Sequence, residues 1–309
     1  MTGFAAAGTT FKGIAIAWTI RGLRAAGLGD LFLRKLTSDI VEPSRPRPVY
    51  AQYKPAPGDV FVVSYPRSGT NWMLQACIET AACGRGEFDH IHDVVPWPES
   101  PFGLTPRLED ASRYPLKVVK VFSPPEHLTW SPDAKYVSLI RDPRDVFPSM
   151  FKFACGTFGL DGHVSMEAFS KLFLPPGNLA AAWARTTAYV WNGRSEPNRF
   201  VRTYSEMRRG GETSLNELID FLEVDLSADE RTAVAERASI EWMRANEARF
   251  APPDLPLGRG YSKAKLVDAG RVGSGADLPD GMAEQIAEFC IAELARLRSD
   301  FPFEEKFGR

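Results

Sequence analysis

Two short segments combine permanent positive charge, hydroxyl groups and a tight turn, a mixture suited to holding phosphate-like anions. The first runs Val60-Phe-Val-Val-Ser-Tyr-Pro-Arg-Ser-Gly-Thr-Asn-Trp72. An apolar run ends at Ser64, a turn carries Pro66, Ser68 and Gly69, and a helical pattern opens at once. The first N–H groups of a helix lack internal partners and lie at the positive end of its dipole, so such a turn suits an anion. Gly69 permits close backbone approach, Arg67 brings charge, Ser68 and Thr70 bring hydroxyl donors, and Trp72 offers an aromatic face. The Walker pattern GxxxxGK[ST] is absent, which disfavours an ordinary ATP- or GTP-hydrolysing protein. The local alternative is a plain strand–turn–helix corner capped by Ser68.

The second segment, Lys135-Tyr-Val-Ser-Leu-Ile-Arg-Asp-Pro-Arg-Asp-Val-Phe-Pro-Ser-Met150, is again strand, turn and helix. Arg141 stands at the strand's end and Ser149 falls one to two turns into the helix. Asp142 and Pro143 suit an N-cap and a first helical position. The local alternative pairs Arg141 with Asp142 or Asp145 as a surface ion pair.

Tyr65-Pro-Arg-Ser-Gly-Thr-Asn-Trp72 resembles the 5′-phosphosulfate loop of the cytosolic-type sulfotransferases, usually YPKSGTTW. Arg67 stands where the family has lysine and Asn71 where it has a second threonine; a guanidinium is a planar fork and an ammonium a compact point charge. Arg141-Asp-Pro-Arg-Asp145 followed by Ser149 resembles the family's 3′-phosphate motif, RNPKDxxxS, with the same Arg-to-Ser spacing. The resemblance implies that Arg67, Ser68, Gly69, Thr70, Asn71 and Trp72 hold the phosphosulfate of 3′-phosphoadenylyl sulfate, and that Arg141 and Ser149 hold its 3′-phosphate. Tyr204, in Thr-Tyr-Ser-Glu-Met207, resembles the YEDM tyrosine that contacts adenine, and Ala238-Ser-Ile-Glu-Trp-Met243 resembles TSFxxM, placing Ser239 and Ile240 at the base. Ordinary core packing accounts for either of these segments taken singly. Val267-Asp-Ala-Gly-Arg-Val-Gly273 is similar to the RKGxxG loop: Gly270 and Gly273 match, Asp268 and Ala269 replace the basic pair, and Arg271 is left to reach the 3′-phosphate. A glycine-rich loop with one arginine can still form an N–H nest for an anion.

Sulfonate transfer needs in-line positioning, neutralisation of charge and a base for the acceptor's proton. Arg67 and Lys120 suit the neutralising role. A histidine in a KTH sequence supplies the family's base, but the matching residues here are Lys120-Val121-Phe122. Three readings follow. His127 or Glu126, or His92 and Asp93 of the His90-Ile-His-Asp93 cluster, act instead; or the acceptor is acidic enough to need little help; or the chain binds nucleotide without turnover. Two histidines at i, i+2 make a poor metal site, and no metal is expected. The expected function is transfer of a sulfonate from 3′-phosphoadenylyl sulfate to a hydroxyl or amine of a small, apolar acceptor. The alternatives are a non-catalytic binder of that nucleotide or of adenosine 3′,5′-bisphosphate, and an atypical P-loop nucleotide kinase. Trp97, Phe102, Phe151, Phe153 and Phe158 are candidates for lining an apolar acceptor pocket.

These side chains need a scaffold that brings distant turns together. Asp59–Ser64, Leu116–Phe122, Lys135–Ile140 and Arg199–Thr203 are short apolar runs, and helical patterns lie between and after them, at 71–83, after Asp142, and at 178–191, 214–222, 228–237, 240–247 and 282–298. Strands apolar on both faces and alternating with helices predict an α/β, P-loop-like three-layer fold, with a central parallel sheet flanked by helices. Ligands bind at the carboxyl ends of such strands. The prolines of Glu42–Gly58 predict an extended linker, so residues 1–57 read as an N-terminal extension and linker, and 58–309 as one domain.

The 37 Lys+Arg against 39 Asp+Glu give a net charge of −2, without the basic excess of a nucleic-acid binder. Cys77, Cys83, Cys155 and Cys290 form no CxxC pair and read as reduced thiols of a cytoplasmic protein, with Cys77 and Cys83 both facing a helix interior. Phe4–Ile20 is apolar but short and interrupted by Lys12. It predicts an amphipathic helix packed on the body, with peripheral membrane contact as the alternative. The family's dimerisation motif, KxxxTVxxxE, is not visible, which leaves oligomeric state open.

Overall fold

The computed structural model describes residues 10–29, 31–35, 48–100, 105–253, 255 and 272–308. Four strands, β1 (Asp59–Val63), β2 (Lys117–Val121), β3 (Lys135–Ile140) and β4 (Arg199–Thr203), form one parallel sheet in the order β2-β1-β3-β4. All four predicted strands are present. Their residues alternate between two cores: Val60, Val62, Val118, Val137, Leu139 and Phe200 face one side, and Phe61, Val63, Val119, Val121, Tyr136 and Ile140 the other. Both faces are therefore apolar, as a parallel sheet covered on two sides requires.

On the first side lie α3 (Thr70–Ala81), α8 (Glu212–Leu222) and α9 (Ala228–Arg237), contributing Met73, Leu74, Ile78, Leu218, Ile219 and Val234. On the other lie α4 (Pro143–Phe158), α6 (Leu179–Asn192) and α11 (Met282–Arg296), contributing Phe147, Trp183, Ile286, Cys290 and Leu294. The three-layer expectation is met. Helices α7 (Tyr204–Gly210) and α10 (Ile240–Ala245) follow β4 and α9.

Ahead of the sheet, α1 (Phe11–Ala25) buries Gly13, Ala17 and Ile20, and Ala17, Ile20, Leu33 and Tyr50 join the core that holds α4 and α6. The helix is thus packed on the body, while Phe11 is 90% and Trp18 67% exposed on its other side. The linker expectation needs correcting: Pro48–Gln52 is a helical turn, α2, with Pro48 at its first position. Proline is tolerated there because that N–H would have no helical partner anyway. A second short helix went unpredicted: α5 (Met166–Phe173), capped by the Ser165 hydroxyl on Ala168 N–H. Cys77 is buried on α3, but Cys83 lies past that helix's end at φ 52, in the left-handed region, so only the first faces a helix interior. All four cysteines are free.

Candidate active site

The chain leaves β1 at Val63 and turns through Ser64–Gly69 into α3. Gly69 has φ 96, and a Cβ there would meet the Tyr204 ring at 2.9 Å, so only glycine fits this corner. Gly69 caps α3 without a side chain of its own, leaving the helix's first N–H groups without a capping side chain. The Ser68 and Thr70 hydroxyls beside them are buried with no hydrogen-bond partner among the described residues. Two buried donors at the positive end of a twelve-residue helix make a cradle for an anion. Ser68 does not cap the helix as the simple-corner alternative would have it. Arg67 sits at φ 70, a conformation that costs a non-glycine residue on the order of 1 kcal/mol.

The second motif begins where β3 ends. Asp142 caps α4 through Arg144 N–H at 2.8 Å with Pro143 in the first turn, as predicted. Its carboxylate pairs with Arg144 at 2.7 Å rather than with Arg141. Asp145 accepts Gly273 N–H and Gly275 N–H at 2.9 Å and the Ser274 hydroxyl at 3.1 Å. These partners turn Arg141 elsewhere: Nη1 donates to Arg67 O at 3.0 Å and the guanidinium lies 4.9 Å from the Tyr204 ring centre. Arg67 Nε in turn donates to Ser149 Oγ at 3.1 Å, and the Arg67 guanidinium stacks 4.4 Å from the Phe153 ring centre. Helix α6 anchors both turns, since Tyr65 donates to Leu179 O and Trp183 to Arg141 O.

Trp72 meets Tyr204 edge-on at 5.6 Å and donates to Ala238 O at 2.9 Å. Ser239, next in the chain, caps α10 by accepting Trp242 N–H. The two weaker motifs are therefore drawn to the first one. Gly270 and Arg271 lie outside the described residues, as does Phe102; Gly273, where that loop re-enters, is held against the first turn of α4 by Asp145.

Lys120 completes the cluster. It is 5% exposed, and its Nζ lies 3.3 Å from Asn71 Oδ1 and 3.1 Å from His92 Nε2, against the rings of Trp97 (3.9 Å) and Phe122 (4.8 Å). Burial, together with the Arg67 charge, pulls its pKa down to about 7, although Glu99 opposes the shift. His90 Nε2–H donates to Ala251 O, and its Nδ1 accepts His92 N–H. His92 is buried, and burial followed by the Lys120 and His90 charges pushes its pKa well down, so its neutral Nε2 lone pair receives the Lys120 ammonium. The structure does not bring His127 to Lys120: it ends the turn Pro125–His127, where Glu126 pairs with Arg185 of α6. Of the proposed pocket aromatics, Trp97 and Phe153 touch site cations, while Phe151 packs on Phe169 and Phe158 on Phe32.

One residue of this cluster escaped the sequence reading. Glu99, 3% exposed, accepts Phe122 N–H at 3.0 Å and Ser123 N–H at 2.8 Å through Oε1, gripping the backbone just past β2. A carboxylate in the otherwise apolar run Val94-Val-Pro-Trp-Pro-Glu99 was the one available sign of it.

Fold and site together define a P-loop-like α/β protein with a turn suited to an anion at the carboxyl edge of its sheet, with cations but no Walker lysine. The Sulfotransferase domain family matches residues 57–298, and the chain belongs to that family; it is a sulfotransferase. It is 29% identical to Sulfotransferase 2A6 of Mus musculus over 201 residues, covering 61% of this chain and 67% of that one. To Amine sulfotransferase of Oryctolagus cuniculus it is 27% identical over 226 residues, covering 70% and 73%. Its fold is similar to retinol dehydratase in complex with androsterone and the inactive cofactor PAP, with a TM-score of 0.63 at 19% identity over 83% of this chain and 85% of that one. Mouse sulfotransferase SULT7A1 complexed with PAP gives 0.60 at 19% identity, covering 83% and 90%.

Proposed function

We propose that the protein moves a sulfonate group from 3′-phosphoadenylyl sulfate to a hydroxyl or amine of a small apolar acceptor. The observation that carries this reading is the pair of buried hydroxyls of Ser68 and Thr70 at the start of α3, without hydrogen-bond partners among the described residues, next to Arg67 and Asn71, the latter in contact with Lys120. That set fits the phosphosulfate. Arg141 and Ser149, joined to it through Arg67, fit a second phosphate one loop away, and Trp72, Tyr204 and Ser239 border the space for the base. Arg67 and Lys120 neutralise the group in flight and the leaving phosphate. His92 is the histidine of the cluster and fixes the Lys120 ammonium in place.

Retinol dehydratase, whose fold is similar, binds androsterone and retinol, and one relative is an amine sulfotransferase. An apolar alcohol or amine is accordingly the acceptor class we favour here, with Trp97 and Phe122 at the entrance beside Lys120. The free thiols suit a cytoplasmic site of action. The exposed Phe11, Ile14 and Trp18 of α1, with Lys12, Arg21 and Arg24 on the same helix, fit peripheral contact with an anionic membrane surface. Among the described residues no helix is long and apolar enough to cross one.

Titration calorimetry with adenosine 3′,5′-bisphosphate and a labelled-donor assay over phenols, sterols, lipid alcohols and amines test the reading. Binding that Arg141→Ala weakens, together with label transfer, supports it. Absence of nucleotide binding refutes it; binding without transfer to any acceptor supports the non-catalytic alternative, and competition by ATP–Mg²⁺ the kinase.

A further inference from the structure

We propose that Glu99 is the general base of the transfer, its Oε2 taking the acceptor's proton beside Lys120; this rests on the reading above. The resemblance puts the base at position 122, and Phe122 cannot titrate. Glu99 reaches that same place from the loop that runs along the edge of β2, where Lys120 N–H also donates to Pro96 O at 2.9 Å. Its Oε1 holds the N–H groups of residues 122 and 123. Its Oε2 is buried and has no hydrogen-bond partner among the described residues.

A purely structural acceptor for two N–H groups would not need that second oxygen, because a glutamine carbonyl accepts the same bonds without burying a charge. The neighbouring groups do not fill the role. His92 Nε2 is turned to the Lys120 ammonium, and His127 lies on the turn beside α6. Glu99 and Lys120 also interact electrostatically, so the carboxylate stands next to the cation that faces the leaving phosphate.

In the step so defined, a lone pair of the acceptor oxygen or nitrogen forms the new bond to sulfur. The bond from sulfur to the 5′-phosphate oxygen breaks, and its electron pair stays on the departing bisphosphate, opposite Arg67 and Lys120. The acceptor's proton passes to Glu99 Oε2 and from there to solvent once the products leave.

The test is Glu99→Gln, which keeps the acceptor for Phe122 and Ser123 but not the base, with Glu99→Ala alongside. Affinity for adenosine 3′,5′-bisphosphate is measured by calorimetry, and labelled transfer is followed to a sterol alcohol and to 4-nitrophenol. In the Gln variant we expect nucleotide affinity within about 3-fold of the parent, transfer to the alcohol down by ~100-fold or more, and transfer to the acidic phenol down by less than about 5-fold. A Gln variant within about 3-fold of the parent on both acceptors overturns the assignment. So does an equal loss on both acceptors that tracks a loss of nucleotide affinity, which marks a structural role. If the unaltered chain binds no nucleotide, or turns over neither acceptor, the reading under Proposed function fails and takes this one with it; an unaltered chain that transfers label keeps the two failures distinct.

Discussion

If the proposed nucleotide site is right, affinity for adenosine 3′,5′-bisphosphate is expected to fall as pH rises, through Lys120. Its free-state pKa is about 7 because burial removes the ammonium's hydration. A bound phosphate favours the ammonium and returns the pKa toward or above its ordinary value. Above pH 7 the empty site must therefore take up a proton to bind, and each further pH unit approaches a tenfold loss. Between about pH 6.5 and about pH 8.5 the contribution of this group drops about 25-fold, or about 1.9 kcal/mol. The nucleotide's own phosphates also titrate near the lower limit, so the comparison is with Lys120→Met, in which that titration persists and the ammonium does not. The ratio of parent to variant affinity, measured by calorimetry, should fall about 25-fold across this window, with uptake of close to one proton at the upper end.

Stability of the empty protein moves the opposite way. The folded pKa is depressed below the unfolded value, so the unfolded chain binds the extra proton between the two. The parent then gains about 1.4 kcal/mol per pH unit above pH 7 relative to the Met variant. A flat affinity ratio, or one that rises with pH, would refute the placement of Lys120 against the phosphate.

Ser68→Ala should leave urea-unfolding stability unchanged or slightly higher, because the hydroxyl it removes has no hydrogen-bond partner among the described residues, yet weaken bisphosphate binding about 10-fold or more. A stability loss with intact binding would show the hydroxyl to be structural. Gly69→Ala forces a Cβ against Tyr204 at φ 96 and should cost about 2 kcal/mol or more in the same unfolding experiment. Glu79→Gln uncouples the buried carboxylate that holds Arg237, Gln75 and Gly86, and a loss of about 3 kcal/mol is expected; a change within about 0.5 kcal/mol contradicts the burial of that pair. Phe11→Ser with Trp18→Ser should abolish cosedimentation with phosphatidylglycerol vesicles, and parent protein that stays in the supernatant removes the membrane contact.

The sheet was legible because β1 and β3 are apolar on both faces, a pattern that helices of this length do not need. The two anion turns were legible because strand, glycine and basic residue fall together within a few positions. Less was visible where tertiary contacts decide. The prolines before β1 hid α2, since an N-terminal proline and an extended one look alike in sequence. The short helix α5 carries Phe169, Leu172 and Phe173 on one face, but its eight residues are too few for periodicity to stand out. The bond from Arg67 to Ser149 spans 82 positions, and the Glu99 grip on β2 spans 23 and 24. Neither leaves a local trace, which is why the candidate cluster was outlined by sequence and completed by packing.

That bond from Arg67 to Ser149 changes what the arginine at position 67 means. A lysine carries no nitrogen along its stem to reach Ser149 Oγ while its end faces an anion; an arginine can divide its donors between the two. The two turns are consequently one mechanical part, clasped by side chains of the chain itself, with Phe153 as the backing plate for the guanidinium. Under the proposed function, a nucleotide bearing both phosphates meets two segments already joined to each other. Residues 67, 149 and 153 thus make up a unit of substitution: altering one without the others asks the remaining two to hold a geometry that was shaped for three.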